Sequence, residues 1–236
     1  LEAKPKVSKN SAGYYLWNVY DRHEQTFDLT RLFVGSQGTL GLITEITFKL
    51  VPINSKSKML VIFLDKLDNL ANIINEVLAH KPESFESYDD NTLKLALRFF
   101  PSFAKMMGTK NVLLLALKFM PEFFMALGRG MPKFILQAEF TGNDEGELYT
   151  KIMTLHNSLL KYGFIMRVLH TKEESHKYWL IRRESFNLLR NKIKNKRTAP
   201  FIDDITVNPH RLPEFIPQLD KILREYKLLY TVAGHI

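Results

Sequence analysis

The sequence predicts an α+β fold, in which a glycine-rich segment leads into a ferredoxin-like α/β sandwich. Three observations carry this. Residues 34–52, VGSQGTLGLITEITFKLVP, pass from glycines at every third position into alternating apolar and polar residues. From residue 59 onward, short apolar runs alternate with stretches of helical apolar spacing, as in repeated β-α-β units. The 236 residues are 45% hydrophobic and 12% aromatic, enough to bury a core.

The first elements are a hairpin and a glycine turn. WNVYDRHEQT, between Leu16 and Phe27, reads as a surface hairpin with a polar tip at residues 21–25, and His23 on that tip reads as solvated. Gly35, Gly38 and Gly41 can each take positive φ and carry no side chain, so a ligand could lie against the main chain there. Ile46, Phe48 and Leu50 alternate with Glu45, Thr47 and Lys49, which predicts a half-buried strand that Pro52 ends. The spacing is G-x-x-G-x-x-G ahead of a strand, not the G-x-G-x-x-G of a dinucleotide fold. On pattern alone, a ligand-cradling loop and a plain turn before an edge strand both stand.

Asn54–Lys58 is polar and reads as a hinge. Strands are expected over 59–64, 84–88, 133–140, 164–169, 201–207 and 228–233, and helices over 67–80, 144–161, 172–194 and 211–226. Gly142-Asn143 and Gly163 punctuate them. Residues 91–132 interrupt the first sandwich with a Phe-, Leu- and Met-rich insert that has six basic residues and one acid, Glu122. It reads either as helices packed on the sheet with solvated lysines or as an interfacial element on anionic lipid.

Composition excludes several chemistries. With no cysteine there is no disulfide framework, thiolate nucleophile or Cys-ligated metal. The net charge of +8 favours anionic partners. No run of 18 or more apolar residues is present. The basic run 191–197 reads as a solvated helix end, and no nucleic-acid-binding signature accompanies it. His156, His170, His176 and His210 have no mutual metal spacing.

Several of these stretches resemble one family. GSQGTLGLIT (35–44) resembles the GSEGTLGIIT segment of the FAD-linked oxidases of the vanillyl-alcohol-oxidase, or PCMH-type, superfamily, and KNSAGYYL (9–16) resembles its K-N-x-x-G-Y-x-L. Trp179-Leu-Ile-Arg182, Asp204-Ile-Thr-Val207 and Gly234-His235-Ile236 resemble the cap domain of its D-lactate dehydrogenase and glycolate oxidase branch. The resemblance implies the C-terminal part of a PCMH-type FAD-binding domain over 1–53, then a cap domain over 54–236 with the basic insert. It also implies a fragment, inactive and without stable FAD by itself, because the family continues before Leu1 and after Ile236.

The implied activity is oxidation of a D-2-hydroxy acid of lactate or glycolate type, by hydride transfer to flavin. Gln37, Gly38, Thr39, Leu40, Gly41, Leu42 and Ile43 would line FAD, with Gln37 standing where the family usually has Glu. Arg182 would hold the substrate carboxylate, because a guanidinium grips one with two parallel hydrogen bonds; Arg183 points about 100° away around the helix. His235 would be one ligand of a divalent metal, zinc, iron or manganese. Asp204 would play a structural role or support the residues that touch substrate; Ile202 and Asn208 depart from the family pattern and leave the acid open. Electrons would leave to a quinone, an electron-transfer flavoprotein or a cytochrome. The protein would be cytoplasmic, with peripheral contact at the inner membrane face through 91–132. Two other readings are an FAD-dependent synthase without net redox and a basic lipid-surface module without catalysis.

Overall fold

The computed structural model describes residues 4, 7, 13–17, 19–102, 119, 120, 128, 130–192 and 205–236. The chain divides into two compact units, residues 1–53 with 200–209 and residues 54–199 with 210–236.

In the first unit, β1 (Tyr20–Asp21) and β2 (Thr26–Phe27) form the expected hairpin, with Tyr20 opposite Phe27 and their rings 4.9 Å apart. Asp21 closes the tip, its Oδ1 accepting from the backbone N–H groups of His23 and Glu24 at 2.8 and 3.2 Å. A short helix, α1 (Thr30–Phe33), leads into the glycine turn.

The strand expected at 45–50 is not formed. Those residues are extended chain, with Ile46, Phe48 and Leu50 55, 75 and 87% exposed. Alternation gives a segment two faces, but a strand also needs a ladder partner, and none of the described residues pairs with this one.

The second unit is an antiparallel sheet covered on both sides. Its strands are β3 (Lys56–Leu64), β4 (Ser84–Asp89), β5 (Phe134–Gly142), β6 (Ile165–Leu169) and β7 (Ala233–His235), in the order β6-β3-β5-β4-β7. The first four strands in the order β6-β3-β5-β4 make the ferredoxin-like sheet, and β7 adds an edge.

Alternation along β3 sorts the core into two layers. Leu60, Ile62 and Leu64 face helices α2 (Leu70–Ala79) and α4 (Glu145–Leu159), where Ile73, Ile74, Val77, Ile152 and Leu155 are at most 1% exposed. Met59, Val61 and Phe63 face α3 (Asp90–Arg98) and α5 (Lys172–Lys192), through Leu93, Ala96, Tyr178 and Ile181. Each such aliphatic side chain contributes roughly 1.5–3 kcal/mol by leaving water. Helix α6 (Leu212–Glu225) lays Leu212 and Ile216 against the α2 side.

Side chains fix the helix starts. Asp89 caps α3, its Oδ1 accepting from Thr92 N at 2.9 Å and Thr92 Oγ1 at 2.7 Å, and Asp144 caps α4 through Glu147 N at 2.9 Å. Gly163, at φ +71°, turns the chain from α4 and its short 3₁₀ extension into β6.

The last strand differs from expectation. It begins at Ala233 rather than Leu228 and takes in His235. Its partner, β4, ends at Asp89, where α3 starts; Asp89 N donates to Val232 O at 2.9 Å, and residues 228–231 lie past the end of that edge. Residues 205–208 are not a strand. The rest of 201–207, Asp203 and Asp204 included, and most of the insert 91–132 lie outside the described residues. No helix among the described residues is long and apolar enough to cross a membrane.

Candidate active site

The site in the second unit grows from one rung of the sheet. Residues directly opposite on neighbouring strands project from the same face. Reading across the strands, Arg167 faces Val61, Val61 faces Gln137, Gln137 faces Glu86 and Glu86 faces His235. This row of polar side chains therefore lies on the face that α5 covers, and Val61 is its one apolar member.

Helix α5 supplies the upper half. Arg182 lies between Ile181, which enters the core, and exposed Arg183. Its Nη2 sits 2.9 Å from Glu86 Oε2, and the other Glu86 oxygen, Oε1, is 3.1 Å from His235 Nδ1. The side chain of Glu86 is 12% exposed, against 32% for Arg182 and 28% for His235. Arg182 and His235, far apart in sequence, thus meet on one carboxylate. Deeper in the layer, Gln137 Nε2 donates to Tyr178 O and Arg167 Nη1 to Tyr178 Oη, each at 3.2 Å.

Arg183 behaves differently. It is exposed and pairs with its neighbour Glu184 at 3.2 Å. It also rims an open groove of about 400 Å³ beside the rung, lined by Ser57, Glu139, Lys172, His176 and Trp179 among others. Burial pushes the Glu139 carboxyl above the ordinary carboxylate range, although hydrogen bonds from Ser57 and Trp179 pull the other way. Trp179, one turn of α5 before Arg182, lines the same groove as Glu139.

Sequence reasoning missed Glu86 and Gln137. The available signal was an acid in the middle of SFESY, a strand whose other face carries Phe85. Acids are depleted from strand interiors, so one placed there asks for a partner.

In the first unit, the turn Ser36–Thr39 is closed by Thr39 N donating to Ser36 O at 3.0 Å. Both central residues have positive φ, Gln37 at +51° and Gly38 at +76°, the signature of a type I′ turn. Tyr14 Oη lies 2.8 Å from Thr39 Oγ1, and a Cβ on Gly35 would sit 3.7 Å from Gly13 O. The Gly-Tyr and Gly-Ser motifs, distant in sequence, therefore pack together. Residues 37–43 are exposed, and among the described residues the N–H groups of Gln37, Gly38, Leu40, Gly41, Leu42 and Ile43 have no acceptor. Bare N–H groups on a turn with nothing within 4 Å of the Gly38 Cβ position suit a nucleotide cofactor.

A metal fits less well. Among the described residues no group of three or more His, Cys, Asp or Glu could hold an ion. His235 offers one imidazole; with Nδ1 on Glu86, Nε2 is the nitrogen left to ligate, and one such nitrogen does not by itself make a metal site.

Residues 53–236 match the family described as FAD linked oxidases, C-terminal domain, and the chain belongs to it. A D-2-hydroxyglutarate dehydrogenase of Pseudomonas putida is 25% identical over 238 residues, covering 98% of this chain and 22% of that protein. One from Pantoea ananatis is 26% identical over 243 residues, covering 100% and 22%. A glycolate oxidase subunit of Bacillus subtilis is 39% identical over 90 residues, or 37% of this chain and 16% of the subunit. The chain spans about a fifth of the length of the hydroxyglutarate dehydrogenases it matches at 22% coverage. Among solved structures, an alkyldihydroxyacetonephosphate synthase superposes with a TM-score of 0.50 at 14% identity, over 70% of this chain and 28% of that one, a likeness of fold.

Proposed function

We propose that this chain serves an FAD-dependent dehydrogenase that oxidises a D-2-hydroxy acid to the 2-oxo acid. The observation that carries the reading is the meeting of Arg182 and His235 on Glu86, on the sheet face that α5 covers. Family membership and the hydroxy-acid chemistry in the relatives' names support it.

The residues divide the work. Arg182 binds the substrate carboxylate, because a guanidinium grips one with parallel, charge-assisted hydrogen bonds. Its one-third exposure leaves it within reach of solvent and ligand. His235 presents an imidazole beside it for the substrate hydroxyl. In the first unit, the main chain of residues 37–43 holds FAD, with Gly38, Thr39 and Gly41 closest. FAD supplies, when bound, the acceptor for the hydride that leaves the α-carbon. The positive net charge of the chain draws an anionic acid inward.

The test is a dye-linked assay on the protein expressed from its full reading frame, over paired D- and L-2-hydroxy acids. Turnover of D-acids with formation of the 2-oxo acid is expected. Absence of turnover across the panel by a protein that carries FAD would overturn the reading.

A further inference from the structure

We infer that Glu86 is a positioning residue that sets two groups at once: it fixes which imidazole nitrogen of His235 carries the proton, and it aims the guanidinium of Arg182. The claim about the proton rests on geometry alone; the claim about substrate rests on the function proposed above.

The two oxygens of Glu86 are divided between two partners. Oε1 lies 3.1 Å from His235 Nδ1 and Oε2 lies 2.9 Å from Arg182 Nη2. A carboxylate paired with a guanidinium accepts and does not donate, so the contact at Oε1 requires the hydrogen on Nδ1. His235 is thereby held as the Nδ1–H tautomer, with the lone pair on Nε2. That nitrogen is the one able to take a hydroxyl proton or to bind an electrophile, and the arrangement is the one carboxylates impose on working histidines. The same carboxylate lies against the Arg182 guanidinium and so contributes to its aim.

The surroundings favour this role over simple core packing. Glu86 is nearly buried, on a strand where Phe85 and Tyr88 on either side of it are each 1% exposed. Its in-register neighbour on β5, Gln137, is neutral and gives its Nε2 hydrogen to Tyr178 O. His235 is the in-register neighbour on the other side, on an edge strand, with Ser87 Oγ donating to Gly234 O at 3.1 Å and Ile236 N donating to Phe85 O at 2.8 Å. The backbone of β7 is thus pinned to β4 next to the histidine, and the carboxylate orients a ring whose main chain is already fixed.

The experiment uses the protein from its full reading frame, as wild type, Glu86→Ala and Glu86→Gln. Long-range ¹H–¹⁵N spectra of the histidine rings, with His235→Asn to assign the signal, report which nitrogen is protonated. Kinetics with D-2-hydroxyglutarate as the probe report KM and kcat. Wild type should show the proton on Nδ1. In Glu86→Ala the proton should move toward Nε2, and KM should rise about tenfold or more, with kcat falling less. If Glu86→Ala does not fold, Glu86→Gln decides: its amide has one oxygen for two donors, so the ring signal or KM must still move. A wild-type proton on Nε2, or folded variants with both readouts unchanged, would overturn the inference. If D-2-hydroxyglutarate does not turn over in wild type, D-lactate replaces it as the probe; failure of both with the Nδ1 proton present would count against the proposed function and leave the claim about the proton standing.

Discussion

The hydroxyl of Tyr14 lies 2.8 Å from that of Thr39, and so ties the Gly-Tyr segment to the glycine turn. The turn keeps its shape because Gly38 accepts φ +76° at no steric cost. Gly38→Val should therefore weaken FAD binding about tenfold or more, since a β-branched residue in the left-handed region is a strained outlier. A Cβ at this position meets nothing within 4 Å, so the cost falls first on turn geometry. FAD titration of the protein from its full reading frame, followed by fluorescence, checks this, with Gly128→Ala, outside the turn, as the control.

The two adjacent arginines should respond very differently to the same change. Arg182→Lys keeps the charge but loses the planar fork, so KM for a D-2-hydroxy acid should rise roughly 10–100-fold. Arg183 is exposed and paired with Glu184, and such surface pairs contribute about 0–1 kcal/mol. Arg183→Lys should leave KM within about threefold. Steady-state kinetics on the two variants side by side separates them.

Glu139 gives the protein a pH signature. Burial raises its pKa in the folded state above the unfolded value. The folded chain then binds more protons than the unfolded chain above the unfolded pKa. The contribution to stability is present in acid and is lost as pH rises through the folded pKa. Glu139→Gln, which keeps an oxygen for Ser57 and Trp179, should gain more relative to wild type at neutral pH than in acid. Thermal melts across that range measure the difference.

Helix α3 should depend on its cap. Asp89→Ala removes the acceptor for Thr92 N and Oγ1 and should cost about 0.5–2 kcal/mol. Asp89→Asn keeps an acceptor and removes a carboxylate that burial pushes above its usual range, so it should be much the milder change. Denaturant unfolding of the two variants compares them.

Much of the sandwich was legible because local pattern and burial agree there. The run 59–64 has an apolar residue at every position because β3 is covered on both faces, and the helical spacing over 67–78 survives as the buried stripe of α2. Legibility ended where structure depends on a distant partner. The alternation at 45–50 is genuine, yet no described residue offers it a ladder. The start of β7 is set by where β4 stops, which residues 228–233 do not encode. Arg182 and His235 could be singled out from their motifs, whereas Glu86 shows in the sequence only as an acid inside a strand. Its partners are recognisable once the register of β4 against β5 and β7 puts it between Gln137 and His235.

Under the proposed function, a D-2-hydroxy acid gives its hydride to FAD in the protein this chain serves. The most direct measurement is an anaerobic titration of the FAD-loaded protein with D-2-hydroxyglutarate and D-lactate, following the yellow flavin absorbance. At least one of these acids should bleach the flavin and yield the 2-oxo acid in equal amount, and Arg182→Lys should require much more acid for the same bleaching. Flavin that stays yellow with both acids, while dithionite still bleaches it, would rule out hydride transfer from either acid.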